Sequence, residues 1–536
     1  MTNNRSISSG IIKKLLNWGV AEFYVCAGAR NIPLVETLIN LSTTNKQIIF
    51  NHFDERSAGF YSLGRIKSIN KPVCVITTSG TAVGELLAPT MEAYYSGLPL
   101  VLLTADRPKS FRGTGAPQSA EQNNIFGKYV SACYDIEADH EFELLNCPKN
   151  KPLHINVCFN TPLQTGTIEE IIHIAKLDTF PTPYRIPEQF MQNIYQKIDN
   201  AENLIVIVSQ IHPKYKEIII DLLCHFNLPV YLESISNLRE ESKLSALQIK
   251  CADKIWINAK KSGYKIDSVI KIGNTPTHRI WRDLEELNKN IEVISLSDNI
   301  FPGHSRAKHF CIEENKEGII NNTKYNRKYS EEVLNFLNFD NSFFLKLQEL
   351  YKKYPNSEQA IMHTLSKIIP HSSRLYLGNS LSIRHWDLAA QYNQKNFYVE
   401  ASRGLNGIDG QISTFYGFSA IDSQNFAIIG DLTALYDLSA PWVLQYQKAL
   451  YTNLIVINNS GGKIFGRVLS GMAGNFCQNF HNYKLEHWCK MWNMHYHALD
   501  EIKEFKLLET QHNVYEIFPN QYHTDSFNDE FNQMDV

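Results

Sequence analysis

Long apolar runs are missing from this chain. No uncharged stretch in its 536 residues approaches the ~20 needed for a membrane-spanning helix. Residues Ile11 to Leu16 are interrupted by Lys13 and Lys14 and are too short for the apolar segment of a signal peptide. Excess basic charge is missing too. The formal net charge of −3 favours neither a nucleic-acid surface nor a polybasic membrane patch. The 10 cysteines, at 26, 74, 133, 147, 158, 224, 251, 311, 477 and 489, include no Cys-x-x-Cys pair and no metal-ligand spacing, the pattern of reduced, buried thiols. The G-x-G-x-x-G fingerprint is absent, and the middle of the chain carries no clear adenine-dinucleotide signal, so NAD and flavin readings are weak. A cytoplasmic protein is expected, with small-molecule ligands, no nucleic acid and no membrane span.

Short apolar runs alternate with longer amphipathic stretches, and 43% of residues are hydrophobic. That pattern predicts an α/β protein with three domains, each a mainly parallel sheet flanked by helices. The first set of strands is Phe23 to Cys26, Val73 to Thr77, Leu100 to Thr104 and Leu153 to Val157. Prolines 181, 183 and 187 then break the chain. A second set follows at Leu204 to Val208, Val230 to Leu232, Ser268 to Ile272 and Ile291 to Leu296. From Glu313 to Glu332 the composition turns polar, as in a solvated linker or lid. Helical patterns at Ser342 to Tyr354 and Ser357 to Ile369 lead to a third set at Arg374 to Leu377, Phe397 to Glu400, Phe426 to Ile429, Leu454 to Ile457 and Val514 to Ile517. The predicted domains are 1–180, 188–312 and 355–536, with a linker and helix over 313–354. The first and third sets can share a topology, and the acidic tail after His523 is expected to fray.

The third set carries the strongest chemical signal. One apolar strand ends in Gly430-Asp431, followed by Leu432 and Thr433; the next ends in Asn458-Asn459 and the turn Ser460-Gly461-Gly462. Each is by itself an ordinary turn signal. Together they place a carboxylate, an amide oxygen and a bare carbonyl at neighbouring strand ends, an oxygen-only donor set that suits Mg²⁺ and, through it, a diphosphate. Asp54-Glu55-Arg56 lies between a strand-like Gln47 to Phe50 and a helical stretch. It can simply cap the helix, or Glu55 can face an apolar interface and exchange protons with a bound heterocycle. Thr77 to Ala82 should turn from a buried strand into a helix N-terminus. Glycines 404, 407 and 410 let the backbone pass a flat ring, with Ile408 as the bulky side chain. Arg30, Arg107, Arg279, Arg384 and Arg403 all accompany turn signals, and at predicted strand ends they suggest a pocket for carboxylates.

Taken together, these blocks resemble the thiamin-diphosphate-dependent decarboxylase superfamily from end to end. Within it they resemble the 2-succinyl-5-enolpyruvyl-6-hydroxy-3-cyclohexene-1-carboxylate synthases of menaquinone biosynthesis. Gly430-Asp-Leu-Thr-Ala-Leu-Tyr-Asp437 is the most specific block. The resemblance implies thiamin diphosphate with Mg²⁺, or Mn²⁺, held by Asp431, the Asn459 side chain and the Gly461 carbonyl. Glu55 would act on the aminopyrimidine, and Ile408 would wedge the cofactor into a bent shape. Ser380, Leu432, Thr433 and Ile464 complete the implied cofactor contacts. Ser380, Arg384, Arg403 and Phe465 match positions for the 2-oxo acid donor, 2-oxoglutarate. Arg30, Arg107, Gln118 and Arg279 match positions near the carboxylated acceptor, isochorismate. Glu55 would serve cofactor bound by a neighbouring subunit, so a homodimer is the implied minimum.

The departures lie on the acceptor side. Ala29 replaces the family's serine in Gly28-Ala29-Arg30, and Pro117 replaces its asparagine before Gln118. Each removes a polar contact worth roughly 1–3 kcal/mol where the partner is left unpaired. A diverged paralogue using an aldehyde or keto-sugar acceptor is the first rival. A catalytically silent subunit is the second, opposed by the joint presence of Glu55, Asp431 and Asn459.

Overall fold

The computed structural model describes residues 3–44, 49–137, 143–144, 147–169, 184–200, 202–314, 330–392, 394–447, 449–467 and 471–534. The chain divides into two compact units. The first comprises Met1–Thr179, Ser402–Asp422 and Leu432–Thr452; the second comprises Phe180–Ala401, Ser423–Asp431 and Asn453–Val536.

The first unit contains β1 (Glu22–Cys26), β2 (Ile49–His52), β3 (Val73–Thr77), β4 (Leu100–Asp106), β5 (Cys133–Glu137) and β6 (Leu153–Cys158), in the order β2-β1-β3-β4-β6-β5. All its pairings are parallel. Every residue of β3, β4 and β6 is buried, the result of strands covered on both faces. The sheet has six strands where the apolar runs predicted four. In the same unit, the helix Glu55–Ile69 crosses the helix Gln411–Phe418 in backbone contact. A Cβ on Gly64 would lie 2.0 Å from Thr414 O, and one on Gly417 2.1 Å from Tyr61 O, so glycine is required at both faces of the crossing.

The second unit holds two six-stranded sheets. A two-residue strand β7 (Tyr184–Arg185) precedes β8 (Leu204–Val208), β9 (Val230–Leu232), β10 (Gln248–Ile249), β11 (Ser268–Ile272), β12 (Glu292–Ser297) and β13 (Lys308–Cys311). The latter six form a parallel sheet in the order β10-β9-β8-β11-β12-β13. β14 (Glu313–Glu314) returns antiparallel to β7, so the expected linker begins as a strand. Residues 315–329 of that segment, and 181–183 of the proline break, lie outside the described residues. The helix Glu331–Lys353 then leads, through the helix Glu358–Ile368, to β15 (Arg374–Leu377), β16 (Tyr398–Glu400), β17 (Asn425–Gly430), β18 (Thr452–Ile457), β19 (His495–Leu499) and β20 (Asn513–Ile517).

These last six run in the order β16-β15-β17-β18-β20-β19, the same topology as the first sheet, as expected. In the first and third sheets the order reverses between the first and third strands. That switch is where open α/β sheets receive ligands, at the carboxyl ends of the strands.

The tail departs from expectation. Gln521–Gln533 is a helix, capped by the Asn520 side chain accepting from His523 N. Phe527 is fully buried in a core shared with Tyr351, Leu365 and Trp386. Polar residues on its outer face masked an amphipathic helix.

A buried ionic cluster also ties the two sheets of this unit. Asp387, on the helix Leu381–Ala389, accepts from Ser234 N at 2.7 Å, Arg239 Nη1 at 3.2 Å and the Tyr231 hydroxyl. His278 lies between Asp387 (2.7 Å) and Asp253 (2.9 Å), one ring nitrogen facing each. Although burial opposes its charge, these carboxylates push its pKa up to about 10.

Candidate active site

In the first unit the strand β2 runs into the helix Glu55–Ile69 through a turn whose capping residue is Asp54. Its carboxylate accepts from Ser57 N at 2.9 Å. The cap is therefore the neighbour, and Glu55 is not needed for it. Glu55 is half-buried; burial raises its pKa, a backbone hydrogen bond opposes this, and the charges of Asp54 and Glu85 add to the rise. The turn is braced from beneath. His52, held neutral by burial with a pKa of about 4, accepts from Asp54 N through Nδ1 at 3.1 Å. Ser57 Oγ meets Ser413 Oγ at 2.7 Å, and Asp437 accepts from both Ser413 N (2.7 Å) and Ser413 Oγ (3.0 Å). Asp437, the last residue of the long specific block, thus has a structural task that its position in sequence did not reveal.

The loops after β1, β3 and β4 converge in the same unit. A Cβ on Gly28 would lie 2.5 Å from Thr78 Cβ, and one on Gly80 3.3 Å from Gln118 Cα. As expected, β3 turns at Gly80 into a helical turn, Thr81–Gly84. Arg30 donates to Phe159 O (3.1 Å) and Arg107 to Pro117 O (2.8 Å). Neither guanidinium makes an ion pair among the described residues. Burial, followed by the nearby charge of Arg107, lowers the pKa of Arg30. Two cations held together on carbonyl partners have capacity left for an anionic ligand. Gln118 follows Pro117 in a left-handed conformation, φ 55°.

Ile408 is half-buried on a loop that begins at the buried Arg403. Glu92, itself 5% exposed, fixes that loop by accepting from Gly404 N and Leu405 N, each at 2.8 Å. No sequence signal singled out Glu92, because it lies mid-helix far away in the chain. Leu432 is half-buried and Thr433 buried in the first turn of the helix Asp431–Leu435.

In the second unit, Asp431 follows β17 and the Asn458–Gly461 turn follows β18. Asp431 Oδ2 accepts from Gly461 N at 2.8 Å, which joins the two strand ends. Gly461 has φ 137°, and a Cβ there would fall 2.5 Å from Gln478 O; only glycine makes this turn. His481 Nε2 is 3.3 Å from the same Asp431 oxygen, while its Nδ1 accepts from Tyr483 N. The two asparagines separate by role. Asn458 donates to Glu516 (2.7 Å) and Tyr483 O (3.0 Å) and accepts from Ser460 N (3.1 Å). Asn459 donates to Glu358 Oε1 (3.0 Å), and its Oδ1 accepts no hydrogen bond among the described residues. A carboxylate, an open amide oxygen and a glycine carbonyl at two adjacent strand ends fit a hard cation bearing a diphosphate.

Ser380, φ 70°, ends the turn after β15, and Arg384 donates back to its carbonyl. Ile464 is half-buried and Phe465 exposed in the short helical turn Lys463–Arg467. Arg279 stands apart as a surface residue: its side chain is 69% exposed and paired with Asp283 at 2.9 Å.

Residues 5–125 match the family model described as thiamine pyrophosphate enzyme, N-terminal TPP binding domain. Among curated proteins, a 2-succinyl-5-enolpyruvyl-6-hydroxy-3-cyclohexene-1-carboxylate synthase of Bdellovibrio bacteriovorus is 38% identical over 530 residues, covering 98% of each chain. Synthases of the same name are 31% identical in Akkermansia muciniphila, with 98% of both chains covered, and 28% identical in Bacillus pumilus, with 85% of this chain and 82% of that one. These names offer no support for a diverged paralogue. With strand-end geometry and whole-length similarity in agreement, the chain belongs to the 2-succinyl-5-enolpyruvyl-6-hydroxy-3-cyclohexene-1-carboxylate synthase family of thiamin-diphosphate-dependent enzymes.

Proposed function

We propose that this protein decarboxylates 2-oxoglutarate and joins the resulting succinyl group to isochorismate, giving 2-succinyl-5-enolpyruvyl-6-hydroxy-3-cyclohexene-1-carboxylate for menaquinone biosynthesis. The observation that carries the reading is the Asp431–Gly461 hydrogen bond, which brings two strand ends together with the Asn459 oxygen left open. Asp431, Asn459 Oδ1 and the Gly461 carbonyl would hold Mg²⁺, or Mn²⁺, and with it the diphosphate; Leu432, Thr433 and Ile464 would line its surroundings.

Thiamin diphosphate, when bound, supplies a cationic ring that accepts the electrons released as CO₂ leaves a 2-oxo acid. Glu55 would hold a proton at its carboxyl oxygen against the aminopyrimidine, a task helped by its raised pKa. Ile408 would support the bent cofactor. Ser380, Arg384 and Arg403 would hold the donor's distal carboxylate, with Phe465 as an apolar wall. Arg30 and Arg107 would take the acceptor's carboxylates, beside Gln118. Arg279, exposed as it is, would reach acceptor only by leaving Asp283.

A homodimer is part of the proposal, because Glu55 would serve cofactor bound by the other subunit. Phe53, at 55% exposure, and Met472 and Phe476, at 90% and 86%, are the kind of apolar surface a partner covers. The reading keeps the three domains at 1–180, 188–312 and 355–536, and places the enzyme in the cytoplasm, where its ten free cysteines would stay reduced.

The deciding experiment mixes purified protein, thiamin diphosphate, Mg²⁺, 2-oxoglutarate and isochorismate. CO₂ and adduct are expected in equal amounts. CO₂ without adduct rejects the acceptor, and no CO₂ rejects the reading. Sedimentation at the assay concentration should give twice the 61.5 kDa chain mass, and a monomer active at full rate overturns the dimer.

A further inference from the structure

An asparagine offers an oxygen on one edge and an NH₂ of nearly the same size on the other, and only the oxygen can ligate a cation. A ligand asparagine therefore needs a partner that fixes which edge faces outward. At Asn459 that partner is Glu358. Its side chain is 3–4% exposed, and Oε1 accepts from Asn459 Nδ2 at 3.0 Å. A carboxylate only accepts, so the NH₂ edge faces Glu358 and Oδ1 is turned away from it.

Glu358 is itself held in place. It is the first residue of the helix Glu358–Ile368, where the positive end of the helix dipole favours a carboxylate. Ser357 caps that helix by accepting from Ala360 N at 3.2 Å. The backbone N–H of Glu358 donates to Thr524 Oγ1 at 3.2 Å, and His385 Nδ1 stands 3.3 Å from Oε2. No local pattern singles out this residue, which lies 101 positions before Asn459.

We propose that Glu358 is a positioning residue of the metal site: by holding the NH₂ edge of Asn459, it presents Oδ1 to the cation. This rests on Asp431, Asn459 and Gly461 being the ligands. Partners in this outer layer typically change metal affinity 10- to 100-fold.

The test is Mn²⁺ binding to the full-length protein in excess thiamin diphosphate, with free Mn²⁺ read by its paramagnetic resonance signal. Asp431→Ala is the control for the site: if it leaves Mn²⁺ affinity unchanged, the ligand assignment falls and this proposal with it. If it abolishes binding, the site stands and Glu358 is tested separately. Glu358→Gln, nearly isosteric, should weaken Mn²⁺ binding about 10-fold and Glu358→Ala up to about 100-fold.

A second background distinguishes orientation from general support. Asn459→Asp has oxygen on both edges and needs no orienting, but its carboxylate would face that of Glu358. In that background Glu358→Gln should strengthen Mn²⁺ binding, reversing the sign of its effect. An equal weakening in both backgrounds overturns the proposal, as does unchanged affinity of Glu358→Gln beside Asn459. Near-ultraviolet circular dichroism checks folding. Should Glu358→Ala fail to fold, the isosteric pair still decides.

Discussion

The turn leaves Glu55 half-buried and outside the capping hydrogen bond, which is what its proposed role requires. Asp54 takes the helix-capping hydrogen bond, and burial makes the charged form of Glu55 less favourable. Glu55→Gln keeps the shape and loses the proton carrier, so CO₂ release in the presence of cofactor should slow by about 10²- to 10⁴-fold, the usual share of a positioned acid or base. Stopped-flow measurement of CO₂ checks this, and unchanged turnover removes Glu55 from the chemistry. Arg30 and Arg107 answer to a different readout. Charge-assisted hydrogen bonds contribute about 1.5–3 kcal/mol each. Arg30→Ala should therefore raise the KM for acceptor by about 10- to 100-fold while donor-only CO₂ release stays near wild type. A matching loss in donor turnover would assign Arg30 to the other substrate.

In the six-stranded sheets the interior strands read directly from sequence, and four of the six edge strands did not. Leu204–Val208 and Val230–Leu232 are continuous apolar runs, Ser268–Ile272 is apolar but for Ser268 and Lys271, and all three are interior to their sheet and were expected with these bounds. Within the six-stranded sheets, the strands without a sequence signal, β5, β10, β13 and β19, are all at sheet edges. His495–Leu499 and Lys308–Cys311 contain no fully buried residue, so polar side chains interrupt the apolar run. Motifs behave similarly. The Gly-Asp and Asn-Asn strand ends were legible because their chemistry is local, whereas Glu92, Ser413 and Glu358 act on loops far from them in sequence and carry no local pattern.

The crossing of Glu55–Ile69 with Gln411–Phe418 leaves no room for a side chain at Gly64. Gly64→Ala puts a methyl 2.0 Å from Thr414 O and should destabilise by about 1–3 kcal/mol, lowering the thermal midpoint by several degrees. Gly10→Ala is the control. That glycine lies inside the helix Asn4–Trp18 with nothing within 4 Å of the added atom, and should gain ~0.5–1 kcal/mol. Equal midpoints for the two variants would remove the close approach.

For the molecule as a whole, the buried His278 links stability to pH. Its folded pKa of about 10 exceeds the ordinary 6.5, so the folded chain keeps a proton that the unfolded chain releases. The stabilisation is complete below about pH 6.5 and is lost progressively as pH rises toward 10. Asp387 adds an acid limit, since hydrogen bonding and charge from His278 and Arg239 outweigh burial and hold its carboxyl below the usual carboxylate range. Its contribution disappears as pH falls through that range. Urea midpoints should therefore decline between pH 7 and 9.5, and His278→Gln should flatten that decline while lowering stability at pH 7. A wild-type midpoint independent of pH in this interval would mean that His278 is neutral in its site.

Because Thr524 on the Gln521–Gln533 helix accepts from the Glu358 amide, and Phe527 on the same helix is fully buried, this segment anchors the start of the Glu358–Ile368 helix from a distance. If Asp431, Asn459 and Gly461 hold the cation as proposed, anything that peels the helix away, whether a nick by a protease or a bulky fusion grafted behind Gln533, is expected to weaken divalent-ion binding. Purification handles therefore belong at the other terminus.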